Sequence, residues 1–275
     1  MPTSAAARAN ALRSLEEGEP PALSRLALFV AAIRSLLAYV SVAVYVLIVG
    51  PPGMLLAMAF NWPDVLYMLG HGGVVMGLGL AGIRYRVVGG KHVSADRAVV
   101  FVSNHQSNVD PPVLYRVLHR RLHFVYKAEL QKLPILARAF GLAGFIAIER
   151  RNREQAMAAI DRAADALRSG TSFLMFPEGT RSRTGELLPF KKGGFIMAVK
   201  AQAPVVPVAI SGARAAMKKG SKIIRPVTVT VRIGEPIETR GRSLTDRENL
   251  IDEVRARIEA MLAKGPIISS SQHKR

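Results

Sequence analysis

Between Arg34 and Asp64 the chain carries no charged residue, a run of 29 positions. As one helix that run would extend roughly 44 Å, beyond the about 30 Å of a bilayer hydrocarbon core. Its length argues against an ordinary buried pair of core helices and for contact with lipid. Pro51-Pro52-Gly53 interrupts the run, and proline inside a helix removes a donor and crowds the preceding turn. The pattern therefore predicts a helix from about 26 to 49, a break, and a shorter apolar piece through Phe60.

Trp62 and Tyr67 lie beside the turn-forming Asn61-Trp62-Pro63-Asp64, where aromatic rings suit the headgroup level of a membrane. A second uncharged stretch, Val65 to Ile83, follows and carries Gly70, Gly72, Gly73, Gly77, Gly79 and Gly82. Glycine weakens a helix in water but is frequent in membrane helices. Two spanning helices, or a hairpin dipping into one leaflet, both satisfy the pattern. Arg8, Arg13, Arg25 and Arg34 precede it and Arg84, Arg86 and Lys91 follow it; basic residues on both flanks favour two cytosolic ends and so the hairpin. Residues 1–24 are Ala/Arg/Glu/Pro-rich and read as a mobile tail; the apolar stretch begins near Leu26 and runs too long for a secretory signal.

Lys and Arg number 38 against 20 Asp and Glu, a net charge of +18. The partners are therefore anionic: phospholipid headgroups, phosphorylated substrates, an acidic carrier protein or nucleic acid. The basic residues are dispersed and no helix-turn-helix or aromatic RNA-reading pattern accompanies them, which argues against nucleic acid. Apolar residues make up 49% and mean hydropathy is +0.20, again pointing to a membrane. There is no cysteine, which removes disulfides, thiolate metal sites and a cysteine nucleophile together.

From residue 84 short β-rich runs alternate with helical periods: Arg84–Val88, Ala98–Val102, Leu122–Tyr126, Phe145–Ile148, Ser172–Phe176, Val205–Ile210 and Val227–Ile233. That alternation indicates an α/β domain. Asn152 is placed to cap a helix ending at Ser169-Gly170, with Ala156, Ala159, Ile160, Ala163 and Leu167 on its buried face. A last helix runs from about Leu244 to Ala263, turning Leu250, Val254 and Ile258 inward. The expected organisation is a tail over 1–24, a membrane-embedded or re-entrant helical segment over 25–83, a catalytic domain over 84–264 and a flexible tail over 265–275.

The strand Val99–Val102 opens into Ser103-Asn104-His105-Gln106-Ser107-Asn108-Val109-Asp110-Pro111-Pro112. Polar loops at strand ends often hold active sites. His105 and Asp110 are five apart and would not share a face of one helix, so they meet only if the chain turns between them. Pro111 supplies the turn by starting a helix from about Pro111 to His119, which makes Asp110 its N-cap, accepting from the Val113 N–H. A carboxylate with two oxygens can cap with one and hold a histidine ring with the other. A histidine so held suits general-base work, with the carboxylate fixing its tautomer. Ser107 completes a nominal Ser/His/Asp set but lacks a nucleophile elbow and is not expected to attack. A second strand, Phe173–Phe176, stops at Pro177 and opens into Glu178-Gly179-Thr180-Arg181-Ser182.

Asn104-His105 followed by Asp110, and Phe176-Pro177-Glu178-Gly179-Thr180-Arg181-Ser182, resemble the first and third motifs of the glycerolipid acyltransferases, particularly the 1-acylglycerol-3-phosphate acyltransferases. Gly144-Phe145-Ile146-Ala147-Ile148-Glu149-Arg150 resembles the second motif, with Glu149 where Asp is common, and Val206-Pro207-Val208-Ala209-Ile210 the fourth. Lys127-Ala128-Glu129-Leu130, Pro134 and Lys191-Lys192-Gly193 fall between them in the family's order, and the match covers about residues 84–235.

The resemblance implies a mixed β-sheet flanked by helices, and an enzyme on the cytoplasmic face of a membrane such as a bacterial inner membrane. The implied reaction moves an acyl group from acyl-CoA or acyl carrier protein to a lysophospholipid, with no metal or cofactor beyond that co-substrate. His105 would deprotonate the acceptor hydroxyl and Asp110 orient it, without an acyl-enzyme. Arg150, Arg181 and Lys127 would grip the acceptor's phosphate, Glu178 its glycerol or an arginine, with Gly179 and Thr180 in the same substrate loop; Lys191 and Lys192 would contact donor or headgroups. Glycerol 3-phosphate, larger-headgroup lysophospholipids and lyso-amino-acid lipids remain alternative acceptors, and a lipid hydrolase using the same pair on water the nearest rival chemistry.

Overall fold

The computed structural model describes residues 24–93, 96–118, 122–149 and 152–267, with Lys127 described by its backbone alone. Both expected terminal tails therefore lie largely outside the described residues. Among the described residues two long helices come first, α1 (Arg25–Ala59) and α2 (Asp64–Ala81). The α/β part follows as β1 (Arg84–Val88), β2 (Val100–Ser103), α3 (Asp110–Val117), β3 (Leu122–Lys127), a 3₁₀ turn (Ala128–Lys132), α4 (Pro134–Leu142), β4 (Ile146–Ile148), α5 (Arg153–Arg168), β5 (Ser172–Met175), α6 (Gly193–Ala201), β6 (Val205–Ser211), α7 (Ala213–Ala216), β7 (Thr228–Ile233) and α8 (Arg247–Leu262).

The sheet runs β1-β7-β6-β2-β5-β3-β4, with every pairing parallel except β6 against β7. It is thus the mixed sheet expected, and the period-2 alternation of its strands separates two apolar layers. Phe101, Val206, Val208 and Ile210 face the layer that contains α2 and α3, while Val100, Val102, Val205 and Ala209 face that of α5, α6 and α8. All four residues of β2 are buried, the pattern of a strand covered on both faces. Asn152 caps α5 as expected, its Oδ1 accepting from the Gln155 N–H at 3.0 Å. Gly265 and Ile267 are tied to β7: the Gly265 carbonyl accepts from Arg232 at 3.0 Å, and the Ile267 N–H donates to Thr230 at 2.9 Å.

The break expected at Pro51-Pro52-Gly53 does not occur; α1 is continuous, with both prolines inside it. Proline carries a helical φ and removes only its own N–H, and here close packing outweighs that loss. A Cβ at Gly53 would collide with Leu69 of α2, so the Pro-Pro-Gly segment is a point of close helix packing rather than a hinge. The chain instead turns at residues 60–63, where Asn61 adopts φ 47°.

Both helices are long and apolar enough to cross a membrane by length and composition. One face of α1 leaves Leu26, Phe29, Leu36 and Leu37 exposed, while its other face is docked on the α/β domain. The Ser35 hydroxyl accepts from the Ile224 N–H at 2.8 Å, and the Tyr39 hydroxyl donates to the Lys222 carbonyl at 3.0 Å. On α2, the Tyr67 hydroxyl donates to the Ala143 carbonyl at 2.5 Å.

Tyr67 also stacks on His123 of β3, ring centroids 5.7 Å apart and planes 11° apart, with Phe173 edge-on to the same histidine at 5.4 Å. Burial in this aromatic box pushes the His123 pKa down from 6.5 to about 4, against the weaker opposing pull of its bond to the Gly144 backbone. The folded chain therefore favours neutral His123, and the unfolded chain protonates it first as pH falls. The stabilisation is complete above pH 6.5 and is lost progressively down to about 4, amounting to a few kcal/mol. Denaturant titrations in detergent at neutral pH and near pH 4 should show that loss, and His123→Phe should remove this component of it.

Candidate active site

β2 and β5 are neighbours, Val102 pairing with Met175, so the two loops singled out in the sequence leave the same edge of the sheet side by side. Asn104 anchors the first of them. Its fully buried side chain donates to the Ile210 carbonyl at 3.0 Å and accepts from the Ile210 N–H at 2.8 Å, extending the pairing of β2 with β6 by one residue. This explains the Val206–Ile210 string: none of its residues lines the cavity described below, and its contribution is to hold Asn104 and the start of the loop.

The His105 Nδ1 lies 2.8 Å from Asp110 Oδ2, with Asp110 fully buried and the histidine side chain 16% exposed. The same Oδ2 accepts the N–H groups of Gln106 at 2.6 Å and Ser107 at 2.7 Å. The expected cap is therefore corrected: α3 begins at Asp110 itself, and the Val113 N–H bonds to the Val109 carbonyl at 3.2 Å. The carboxylate folds back over its own loop because the turn gathers three donors onto one oxygen. With Nδ1–H directed at this carboxylate, Nε2 is the nitrogen left with a lone pair. The ring packs on Phe176, centroids 4.2 Å apart, which fixes its plane. Ser107 is fully buried, its hydroxyl donating to the Met217 carbonyl at 2.9 Å and accepting from the Val109 N–H at 3.2 Å, so that it braces the loop.

Glu178 differs from its expected place at the substrate. It is 3% exposed, Oε1 accepting the His105 N–H at 2.7 Å and Oε2 the Leu188 N–H at 3.0 Å. Both oxygens are thus committed to backbone, because the Pro177 turn directs the side chain inward between the two loops. Burial raises its pKa, while the two N–H donors pull the other way. The loops are further tied where the Ser182 N–H donates to the His105 carbonyl at 2.8 Å. Gly179 has φ 68°, and a Cβ there would come within 2.9 Å of Lys191 Nζ, so the absence of a side chain lets the ammonium approach.

His105, Gly179, Thr180 and Arg181 all line one cavity of about 1090 Å³. Its far wall is apolar and comes from α1 and α2, including Tyr45, Val49 and Leu66, while Phe145 and Ile148 of the second motif's string close another side. Lys191 and Lys219 share the lining with Arg181. Lys219 was not legible in the sequence: it follows the last motif string, and only the return of the chain past α7 carries it to the β5 loop. There its ammonium donates to Thr180 Oγ1 at 3.0 Å and the Arg181 carbonyl at 3.2 Å. Lys127 ends β3 with its side chain outside those described, and Arg150 lies outside the described residues. Among the described residues no group of three or more His, Asp or Glu side chains could hold a metal ion.

A histidine backed by a buried carboxylate thus faces an apolar cavity rimmed by cations, on a mixed α/β sheet, and residues 84–211 match the family model described as Acyltransferase. The chain is 33% identical over 192 residues to a 1-acyl-sn-glycerol-3-phosphate acyltransferase of Limnanthes douglasii, covering 68% of each chain. It is 37% identical over 172 residues to 1-acyl-sn-glycerol-3-phosphate acyltransferase beta of Homo sapiens, covering 62% of each. The crystal structure of the 1-acyl-sn-glycerophosphate (LPA) acyltransferase PlsC from Thermotoga maritima superposes with a TM-score of 0.74 at 26% identity, over 84% of this chain and 94% of that one. The chain belongs to the 1-acyl-sn-glycerol-3-phosphate acyltransferase family.

Proposed function

We propose that this chain transfers a fatty acyl group from an acyl thioester, acyl-CoA or acyl carrier protein, to the sn-2 hydroxyl of 1-acylglycerol 3-phosphate, giving phosphatidic acid. The observation that carries this reading is the continuity of the cavity from the apolar wall of α1 and α2 to the His105 ring. A lysolipid has that same order of parts, with a chain at one end and a hydroxyl and phosphate at the other.

His105 Nε2 takes the proton of the acceptor hydroxyl as its oxygen attacks the thioester carbonyl. The tetrahedral intermediate collapses, the C–S bond breaks, and the proton passes from the imidazolium to the departing thiolate. Asp110 stabilises the imidazolium meanwhile. No protein nucleophile is needed, in keeping with the absent cysteine and the occupied Ser107 hydroxyl. Arg181, with Lys191 and Lys219, receives the acceptor's phosphate, and Lys127 and Arg150 retain that role as expectations from their motif positions.

The helix pair inserts from one side, with the catalytic domain on the cytoplasmic face. Domain contacts follow α1 from Ser35, bonded to Ile224, to Met58, whose Sδ lies 3.8 Å from an Arg138 nitrogen. A helix accompanied by a polar domain along most of its length suits a leaflet surface better than a span. Basic flanks at Arg25, Arg34, Arg84 and Arg86 agree with a cytoplasmic placement.

The direct test is transfer from labelled acyl-CoA to 1-acylglycerol 3-phosphate by membranes carrying the chain, with acyl carrier protein as second donor and other lysolipids in parallel. Label in phosphatidic acid supports the reading, label in another lipid alone changes the acceptor, and release of fatty acid without a donor would favour a hydrolase. Arg181→Ala should raise the acceptor KM about 10- to 100-fold, the equivalent of the about 1.5–3 kcal/mol of a charge-assisted hydrogen bond. An unchanged KM with a lower kcat would move Arg181 to the reacting centre.

A further inference from the structure

The sequence assigns the segment between β3 and β4 to the catalytic domain, yet its surface is not that of a water-facing helix. In α4, Pro134-Ile135-Leu136-Ala137-Arg138-Ala139-Phe140-Gly141-Leu142, Arg138 is the one charged residue, and no residue of α4 or of the preceding 3₁₀ turn is buried. Leu130 and Leu133 are 40% and 53% exposed. An amphipathic helix in water buries its apolar stripe; this one is apolar nearly all round and buries nothing completely.

Its position supplies the missing cover. α4 lies against α1, where a Cβ at Gly50 would sit 3.6 Å from Ile135. The Arg138 guanidinium reaches the Met58 sulfur, beside the exposed Leu55, Met58 and Phe60 of the same helix. Leu133, 53% exposed and two residues before Ile135, extends the exposed apolar surface of α1 onto this segment. Lys132 and Arg138 stand beside it, both exposed, as side chains that keep a charged head at the phosphate level while their stems lie in lipid. The inner side of the segment belongs to the cavity, which Leu130, Ile135 and Phe140 line.

We propose that residues 128–142 form a third membrane-contacting element, seated in the phospholipid leaflet beside α1 and α2. The proposal rests on the membrane reading of the helix pair and extends it to the α/β domain. It makes the segment a wall with lipid on one side and the acyl cavity on the other.

The absence of cysteine allows a clean test. Leu133→Cys, Leu36→Cys and Arg162→Cys are each labelled with a polarity-sensitive fluorophore on the full chain and mixed with phosphatidylcholine/phosphatidylglycerol vesicles. All three positions are exposed, so labelling disturbs no buried packing. The expected result is a blue shift and quenching by spin-labelled lipid at position 133 comparable with those at position 36, with position 162 unchanged. A water-like signal at position 133 beside a lipid-like one at 36 would overturn the proposal and leave the helix pair in the membrane. A water-like signal at both would overturn the membrane reading and the proposal with it.

Discussion

His105→Ala is expected to lower kcat by about 10²–10⁴-fold, the usual contribution of a positioned general base, with vesicle binding and folding unchanged. The magnitude follows from what surrounds the ring. Its Nδ1 is held 2.8 Å from Asp110 and its face lies on Phe176, so Nε2 is presented to the cavity in one orientation, and removal leaves nothing of comparable basicity in its place. Glu178 and Asp110 are the neighbouring carboxylates, and the donors they already hold leave neither facing the acceptor. Folding is spared because the side chain is partly exposed, and the His105 N–H, which Glu178 accepts, survives in alanine. The assay is initial-rate transfer over a range of acceptor concentrations, beside far-UV circular dichroism and vesicle co-sedimentation. Near-wild-type turnover in a folded, bound variant would remove His105 from the role of base.

What could be read from residue order alone divides along physical lines. The strands were legible because each is a short β-branched or aromatic run between turn residues; all seven appear within a residue or two of their expected ends. The contact of His105 with Asp110 was legible because proline at 111 leaves the chain one way to turn. What the carboxylate does beyond that contact was not: a side chain that bonds backward to Gln106 and Ser107 and one that bonds forward to Val113 have the same local sequence. Glu178 was misplaced for a related reason, since whether a loop carboxylate points in or out depends on which backbone donors lie beneath it. Here those donors are contributed by residue 105, in another loop, and by residue 188. The uninterrupted α1 shows the limit of local rules in another way, because proline's penalty is fixed by the chain but the packing that outweighs it, Gly53 against Leu69, comes from a second helix. Lys219 reached the site through tertiary return alone.

The second large effect belongs to Asp110→Asn, which should lower kcat by about 10²–10⁴-fold and also destabilise the chain by about 1–3 kcal/mol. The catalytic loss arises because an amide carbonyl can accept from Nδ1–H but no longer carries the charge that stabilises the imidazolium. An asparagine flipped the other way would present its NH₂ to Nδ1, reverse the tautomer, and put the proton on the nitrogen that has to act as base. The stability loss has a separate origin. In the wild type Oδ2 accepts all three donors, while Oδ1 is buried without a hydrogen-bond partner among the described residues. Asparagine holding the same three donors on its oxygen bonds them through a neutral carbonyl, which gives up the charge-assisted strength of those three bonds and puts a buried NH₂ where Oδ1 was. Asp110→Ala separates the two effects further, since it frees the Gln106 and Ser107 N–H groups as well and should unfold the loop. The discriminating measurement is therefore a pair: kcat and denaturant midpoint for Asp110→Asn beside His105→Ala. If Asp110 acts through the histidine, the double variant His105→Ala/Asp110→Asn turns over no more slowly than His105→Ala alone, while remaining less stable than it. Additive losses in kcat would instead mean that the carboxylate touches the reaction by a route that does not pass through the ring.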